Sequence, residues 1–306
     1  MTSLQRKFYQ TPVDKILDFE ALVEPVLLWG SMVWGTHKGP AVTSVYNKYH
    51  KRVLGAKKTT PDWMWMLELG VVPLRTKIDL RMISFWASLM TPKIRSQRLA
   101  RLVYNEQYHL RYDNWCIAVR DILYRNGLSI YWDTQYVPNR DSFNRLAKNT
   151  LYNHAFDDLK DRAIASSKSW LFKLIIPKAE RRCHAWHLSN IDAKNVRTIT
   201  RLRLRCHSLA IEVGGWLNIP MELRNCYTCG ELEDEAHVVM KCVRYIDLRD
   251  NYIQRKYWIR DDSVQSLADL LNSENARELN NLAISLGKQM TSTFTTRKPS
   301  RTFCPL

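Results

Sequence analysis

The chain has 306 residues, 45% hydrophobic and 11% aromatic, a globular composition that excludes a disordered polypeptide. A formal net charge of +16 and an isoelectric point near 9.6 point to a polyanionic partner, nucleic acid ahead of an anionic membrane surface. The longest apolar stretch, Pro25 to Trp34, is too short to span a bilayer, and the opening MTSLQRKFYQ lacks the apolar core of a signal peptide.

Apolar residues recur at helical spacing nearly throughout, and no alternating run is long enough to argue for a sheet, so the expected fold is mainly α. Pro40 suits the first position of a helix carrying Val42, Val45, Tyr49 and Val53 on one face, stopped by Gly55. Thr60 as N-cap with Pro61 after it predicts a short helix ending at Gly70. Another starts near Pro73 with Ile78, Met82, Phe85 and Leu89 inward. Asp113 is placed to cap a helix that buries Trp115, Ala118, Val119 and Ile122 and stops before Gly127. Between Pro138 and Pro177 the stretch from Ser142 to Lys178 is helix-like but less amphipathic. Trp63, Trp65 and Trp86 stand near apolar faces and read as core rather than as platforms for stacked bases.

The segment Asp192 to Val213 carries two stripes at once. Ile199, Leu202, Cys206, Leu209 and Val213 make an apolar face, while Arg197, Arg201 and Arg205 recur at four with Arg203 further round. Asp192 can cap the start, and Gly214 with Gly215 can close the end, giving a helix roughly 30 Å long that can lie along several phosphates. Such runs are often merely solvated. Here the only acids inside the segment are Asp192 and Glu212, and a ridge of like charges is better held if an anion meets it. Arg197, Arg201, Arg203 and Arg205, with Arg224 just downstream, are therefore the candidate nucleic-acid contacts.

Cys226, Cys229, His237 and Cys242 follow at the spacing C-x2-C-x7-H-x4-C. Two cysteines separated by two residues clamp one edge of a tetrahedron from a single turn, and Gly230 allows the backbone that turn needs. With all four positions filled by protein, no site remains for an activated water, so the expected cofactor is one structural zinc ion. Binding it should fold a segment too small for a core of its own. Glu231, Glu233, Asp234 and Glu235 make this loop acidic, so it should repel a phosphate backbone, and the division of labour expected is a metal that braces a basic helix.

Nothing in the chain announces catalysis. Phe156, Asp157 and Asp158 sit in a polar helical context without a third carboxylate placed by sequence, and no glycine loop cradles a phosphate. His184 and His187 read as surface histidines beside Arg181 and Arg182. Cys116, Cys183, Cys206 and Cys304 form no disulfide-like framework, which suits a reducing compartment, cytoplasm or nucleus, rather than secretion.

Three blocks resemble the carboxy-terminal part of the polyprotein of non-LTR (LINE-type) retrotransposons. FEALVEPVLLWGSMVWG (Phe19 to Gly35) with MLELGVVPL (Met66 to Leu74) looks like that family's junction of palm and thumb. ITRLRLRCHSLAIEVGGW (Ile199 to Trp216) follows, and CYTCGELEDEAHVVMKC with Arg244, Tyr245 and Arg249 behind it is similar to the terminal CCHC knuckle. Trp29, Met32 and Gly215 depart from the family's usual tyrosine, acid and arginine. The expected organisation is a thumb-like helical region over 1–112, a helical linker over 113–190, a basic helix with its zinc knuckle over 191–260, a short helical segment over 261–286 and, from the Ser, Thr, Lys and Arg of GKQMTSTFTTRKPSRTF with few apolar anchors, a flexible tail over 287–306. The resemblance implies that the polymerase aspartates and the endonuclease lie outside this chain, so that alone it is a non-catalytic RNA- or DNA-binding fragment, able to associate with other retrotransposon-encoded domains. The competing expectations are a zinc-stabilised protein-interaction module and the C-terminal part of an RNA-directed DNA polymerase that works only with its palm.

Overall fold

The structure is a computed structural model that describes residues 10–37, 39–91, 98–110, 114–166, 170–175 and 191–296. The described residues are mainly α and hold no strand, only one isolated antiparallel bridge between Asn225 and Leu232. In chain order the principal helices are α1 (Pro40–Leu54), α2 (Asp62–Leu69), α3 (Leu74–Met90), α4 (Arg98–His109), α5 (Trp115–Arg125), α6 (Arg140–Ala165), α7 (Ala193–Arg203), α8 (Ala210–Trp216), α9 (Ile246–Tyr252), α10 (Ser263–Leu271) and α11 (Ala276–Thr296). None of the described helices is long and apolar enough to cross a membrane.

Most helix boundaries follow the punctuation of the sequence. Pro40 opens α1, and Gly55, Gly70 and Gly127 follow their helices at positive φ. The caps differ in detail. Thr60 does not cap α2: that helix begins one residue after Pro61, and the buried Thr60 hydroxyl lies 3.0 Å from Cys206 Sγ. The cap of α5 is Asn114, whose Oδ1 accepts from the Ile117 N–H, and Asp113 lies outside the described residues. The Ser142–Lys178 stretch forms α6, which starts at Arg140, and a separate helix Trp170–Ile175.

The chain forms two compact units, Leu17–Tyr49 with Val71–Arg162, and Met1–Ile16 with His50–Gly70 and Ala163–Leu306. These are interleaved along the chain, whereas the five regions expected from sequence are consecutive. The unit containing α3 is built around that helix, which buries Ile78, Met82, Ile83 and Trp86. Gly35 lets the Ser31–Trp34 turn press on it, since a Cβ there would stand 2.7 Å from both Ile78 Cγ2 and Met82 Sδ. The buried Trp86 indole donates to the Tyr104 hydroxyl at 3.2 Å, which keeps a polar tip satisfied inside an apolar core. On α6, Asp157 and Asp158 are exposed, and Asp158 pairs with Arg162 one turn on, as a polar helix face should.

The other unit packs α7 against α11, with α2, α9 and α10 around them. Leu279, Leu282, Ala283 and Leu286 of α11 are buried, and so is Gln289. The helix runs to Thr296, its described buried stripe reaching Gln289, so the first part of the stretch expected as a tail from 287 is helical; residues 297–306 lie outside the described part.

Candidate metal centre and the arginine segment beside it

The expected single helix from Asp192 to Val213 is two helices. Asp192 caps α7 as anticipated, accepting from the Lys194 N–H at 3.0 Å. The helix then stops at Arg203, because Arg205 adopts φ +53 and the Cys206 and Arg205 N–H groups return to the Arg201 and Leu202 carbonyls, a Schellman closure made without glycine. Gly214 and Gly215 do not end this helix. They lie inside α8, where the Arg224 side chain crosses them so closely that a Cβ on Gly214 would stand 2.7 Å from Arg224 Cδ.

This geometry divides the five candidate arginines. Arg197 and Arg201 are exposed on α7 and share a partner loop: Arg201 Nε donates to the Gly55 carbonyl at 3.1 Å, and a Cβ on Gly55 would meet Arg197 Cγ at 3.4 Å. Arg203 faces inward, 1% exposed, and grips both carboxylate oxygens of the equally buried Glu68 at 2.8 and 3.0 Å while donating to the Leu271 carbonyl at 2.7 Å. It ties α2 and the end of α10 to α7, so its assignment to a phosphate-facing ridge is corrected. Arg205 is paired with Glu212 and, at 3.2 Å, with Glu235. Arg224 donates to the carbonyls of Ile219 and Ile211, at 2.7 and 3.0 Å, and fastens α8 to the turn that follows it. Only Arg197 and Arg201 keep the surface position that the sequence gave all five no reason to lose.

Cys226 and Cys229 are carried on a tight turn closed by the Gly230 N–H on the Cys226 carbonyl at 2.8 Å, with Gly230 at φ +72. His237 and Cys242 bracket one π-helical turn, His237–Lys241, whose closing bond runs from the Cys242 N–H to the His237 carbonyl at 2.7 Å. A five-residue gap would turn two side chains apart on an ordinary α-helix, and the wider turn brings them to one side. The three Sγ atoms and a His237 ring nitrogen all lie within 4.8 Å of one another. Cys242 Sγ is 3.7 Å from the sulfur of Cys226 and of Cys229, close to the ~3.8 Å edge of a tetrahedron with metal–sulfur bonds of about 2.3 Å.

The surroundings fit an ion as well. His237 Nδ1 is held by Glu231 at 2.9 Å, while its Nε2 is buried without a hydrogen-bond partner, which leaves that nitrogen as the ligand atom and makes Glu231 its orienting carboxylate. Burial opposes the Cys226 thiolate, but the N–H groups of Cys229 and Thr228 outweigh it and bring the thiol down to about 7. Burial pushes the Cys242 thiol up to about 12, with the neighbouring sulfurs adding to it. Arg249 is buried behind the site and donates to the Cys242 carbonyl at 2.7 Å, placing a positive charge beside the sulfur cluster. The apolar cluster around the cysteines, Leu209, Ile211, Val238 and Tyr245 among its buried members, is small. The four residues can hold a metal ion.

The loop's acids are not a solvated patch. Glu235 is fully buried, 2.9 Å from His207 Nε2, and although burial works against its charge, His207 and Arg205 hold its carboxyl below the usual range. Glu233 is buried as well: its carboxylate accepts from the Ala210 N–H and its carbonyl from Ile211, both at 3.1 Å, which satisfies the first donors of α8. Asp234 caps the π turn through the His237 N–H at 2.7 Å. Only Glu231 keeps most of its side chain, 65%, in solvent. The expected acidic, phosphate-repelling loop is thus replaced by a set of internal partners. Within the segment expected to be braced, α7 itself is fixed by Glu68 and α11, while the loop between Cys229 and His237 holds the part after it through Glu233 and Glu235.

Sequence reasoning missed the roles of Glu233, Glu235, His207 and Arg249. The available signal was that a cationic segment and an acidic loop of like size lie within one short stretch of chain. Also missed was the end of α1 and the loop after it, where Arg52 in the last turn and Lys58 on the loop are exposed to either side of Gly55 and Lys57 is half-buried. His184, His187 and Cys183 lie outside the described residues. Comparison with protein-family models, with curated proteins and with solved structures gives no match.

Proposed function

We propose that this chain is a nucleic-acid-binding fragment of a retrotransposon reverse transcriptase, non-catalytic by itself, in which one structural zinc ion shapes the turn beside a cationic surface. The observation that carries the reading is the pair Arg197 and Arg201, exposed one helical turn apart and joined through Gly55 to the last turn of α1, which bears Arg52, and to the loop after it, which bears Lys58. Among the described residues none of these four forms an ion pair with a carboxylate. Holding such a surface together is easier when phosphates occupy it, and the formal charge of +16 agrees.

Three thiolates with one imidazole favour zinc over a harder cation, and four protein ligands make the ion structural. A reducing compartment, nucleus or cytoplasm, suits thiolates kept for metal. Titration of labelled RNA and DNA at two salt concentrations tests the reading: affinity should fall steeply with salt, and an affinity indifferent to salt would refute it. Primer-extension assays should show no nucleotide incorporation by this chain alone.

A protein-interaction role has its own supporting observation in the unit containing α3, where Leu22, Val26, Trp29 and Val33 are 72, 74, 83 and 62% exposed on neighbouring turns. An apolar interface of that kind would barely respond to salt.

A further inference from the structure

Beside the metal loop, within the same unit, lies a cleft of about 1030 Å³. Its floor is apolar, with Met64, Leu204 and Ile211, and three indoles line it: Trp63, Trp170 and Trp216. Trp63 and Trp170 are half-buried, and Trp63 meets the Phe172 ring edge-on at 5.7 Å. Trp216 is 57% exposed, a large apolar side chain left at the edge of a cavity rather than packed into one. Lys57 lies over its ring, Nζ 3.8 Å from the centroid, and is anchored there by donating to the His207 carbonyl at 3.3 Å.

The charges around the cleft are not balanced. Its two acids are already engaged, Glu212 with Arg205 and Asp234 with the His237 N–H. The Lys57 ammonium has no carboxylate partner among the described residues, and it belongs to the loop that joins the cleft to Lys58 and, through Gly55, to Arg197 and Arg201. A surface that passes from exposed cations to one exposed and two half-buried indoles matches a strand whose phosphates and unpaired bases alternate in reach. A duplex keeps its base faces stacked inside and cannot use the indoles.

We infer that this cleft takes unstacked bases of a single-stranded nucleic acid, with Trp216 and Trp63 as stacking platforms and the Lys57–Arg201 surface under the backbone. The inference rests on the nucleic-acid reading above and narrows it to single strands.

The test uses the full chain with a fluorescein-labelled decamer of uridine or thymidine and a hairpin duplex of equal charge. Trp216→Ala should weaken single-strand binding by about ten-fold, the loss of one base–aromatic stack, and leave the duplex within about two-fold and the salt slope unchanged. Trp216→Phe should recover most of the loss. In the unaltered protein, a strand carrying 5-iodouracil should crosslink on irradiation to Trp216 or Trp63. Should Trp216→Ala and Trp63→Ala leave the single strand bound as before while Arg197→Ala with Arg201→Ala weakens it, the cleft is not the base site and the nucleic-acid reading survives. Equal losses for strand and duplex, or crosslinks confined to other segments, also overturn the inference. If the unaltered chain binds neither probe, the underlying reading falls and the cleft assignment with it.

Discussion

The arginine run from 197 to 205 and the acidic run from 231 to 235 look alike in sequence, each a crowd of one sign, yet they are spent differently in the fold. Of the acids, Glu233 and Glu235 are buried, Asp234 caps a turn and Glu231 orients a histidine. Of the arginines, Arg203 and Arg205 are drawn inside to meet Glu68, Glu212 and Glu235, while Arg197 and Arg201 remain outside. The difference teaches that a charge run does not report its own exposure. Which members stay in water depends on the helix face for Arg197, Arg201 and Arg203, and on where the backbone turns for Arg205, whose left-handed conformation ends α7.

Removing the proposed zinc ion should break the comparison most severely. Chelation, or Cys229→Ser, leaves the acidic loop with only a small apolar cluster, against the 10 kcal/mol or more (about) that structural zinc supplies in small domains. Hydrogen exchange should then become fast over 226–242 and stay slow over α7, which is held by Glu68 and α11. Uniform protection in both regions after chelation would contradict this. Next in size is the buried pair. Arg203→Ala strands the Glu68 carboxylate and should cost about 3–5 kcal/mol in denaturant unfolding, whereas Arg203→Met with Glu68→Leu should recover most of it. Smaller again is Gly214→Ala, expected to cost about 1–3 kcal/mol because Arg224 cannot retreat without giving up its carbonyls, with Gly215→Ala milder since its Cβ would find Arg224 no nearer than 3.4 Å.

Much of this was legible beforehand, and the reasons are local. The helical fold, the stops at Gly55, Gly70 and Gly127, the Asp192 cap and the four metal-site residues each follow from a few neighbouring side chains. Trp65 and Trp86 are fully buried as their apolar neighbours suggested, while Trp63 lines a cleft. What sequence did not disclose needs partners distant in the chain. The 3.6-residue period runs on smoothly through Arg205, because Cys206, Leu209 and Val213 keep it, and nothing nearby says that Glu235 will claim that arginine from the other side of the turn. Gly214 and Gly215 look like a helix stop until Arg224 is seen lying across them.

The smallest effect on stability should come from the two outward arginines. Arg197→Ala with Arg201→Ala removes exposed side chains and should change unfolding free energy by less than about 0.5 kcal/mol each. It is also the most direct probe of the claim that these two, and not their buried neighbours, meet phosphate. The measurement is the dependence of log affinity on log salt for a labelled RNA or DNA strand, with the double variant beside the parent chain. Loss of two phosphate contacts predicts a slope shallower by roughly 1.4 to 1.8. An unchanged slope and affinity in a variant that remains folded would contradict the account.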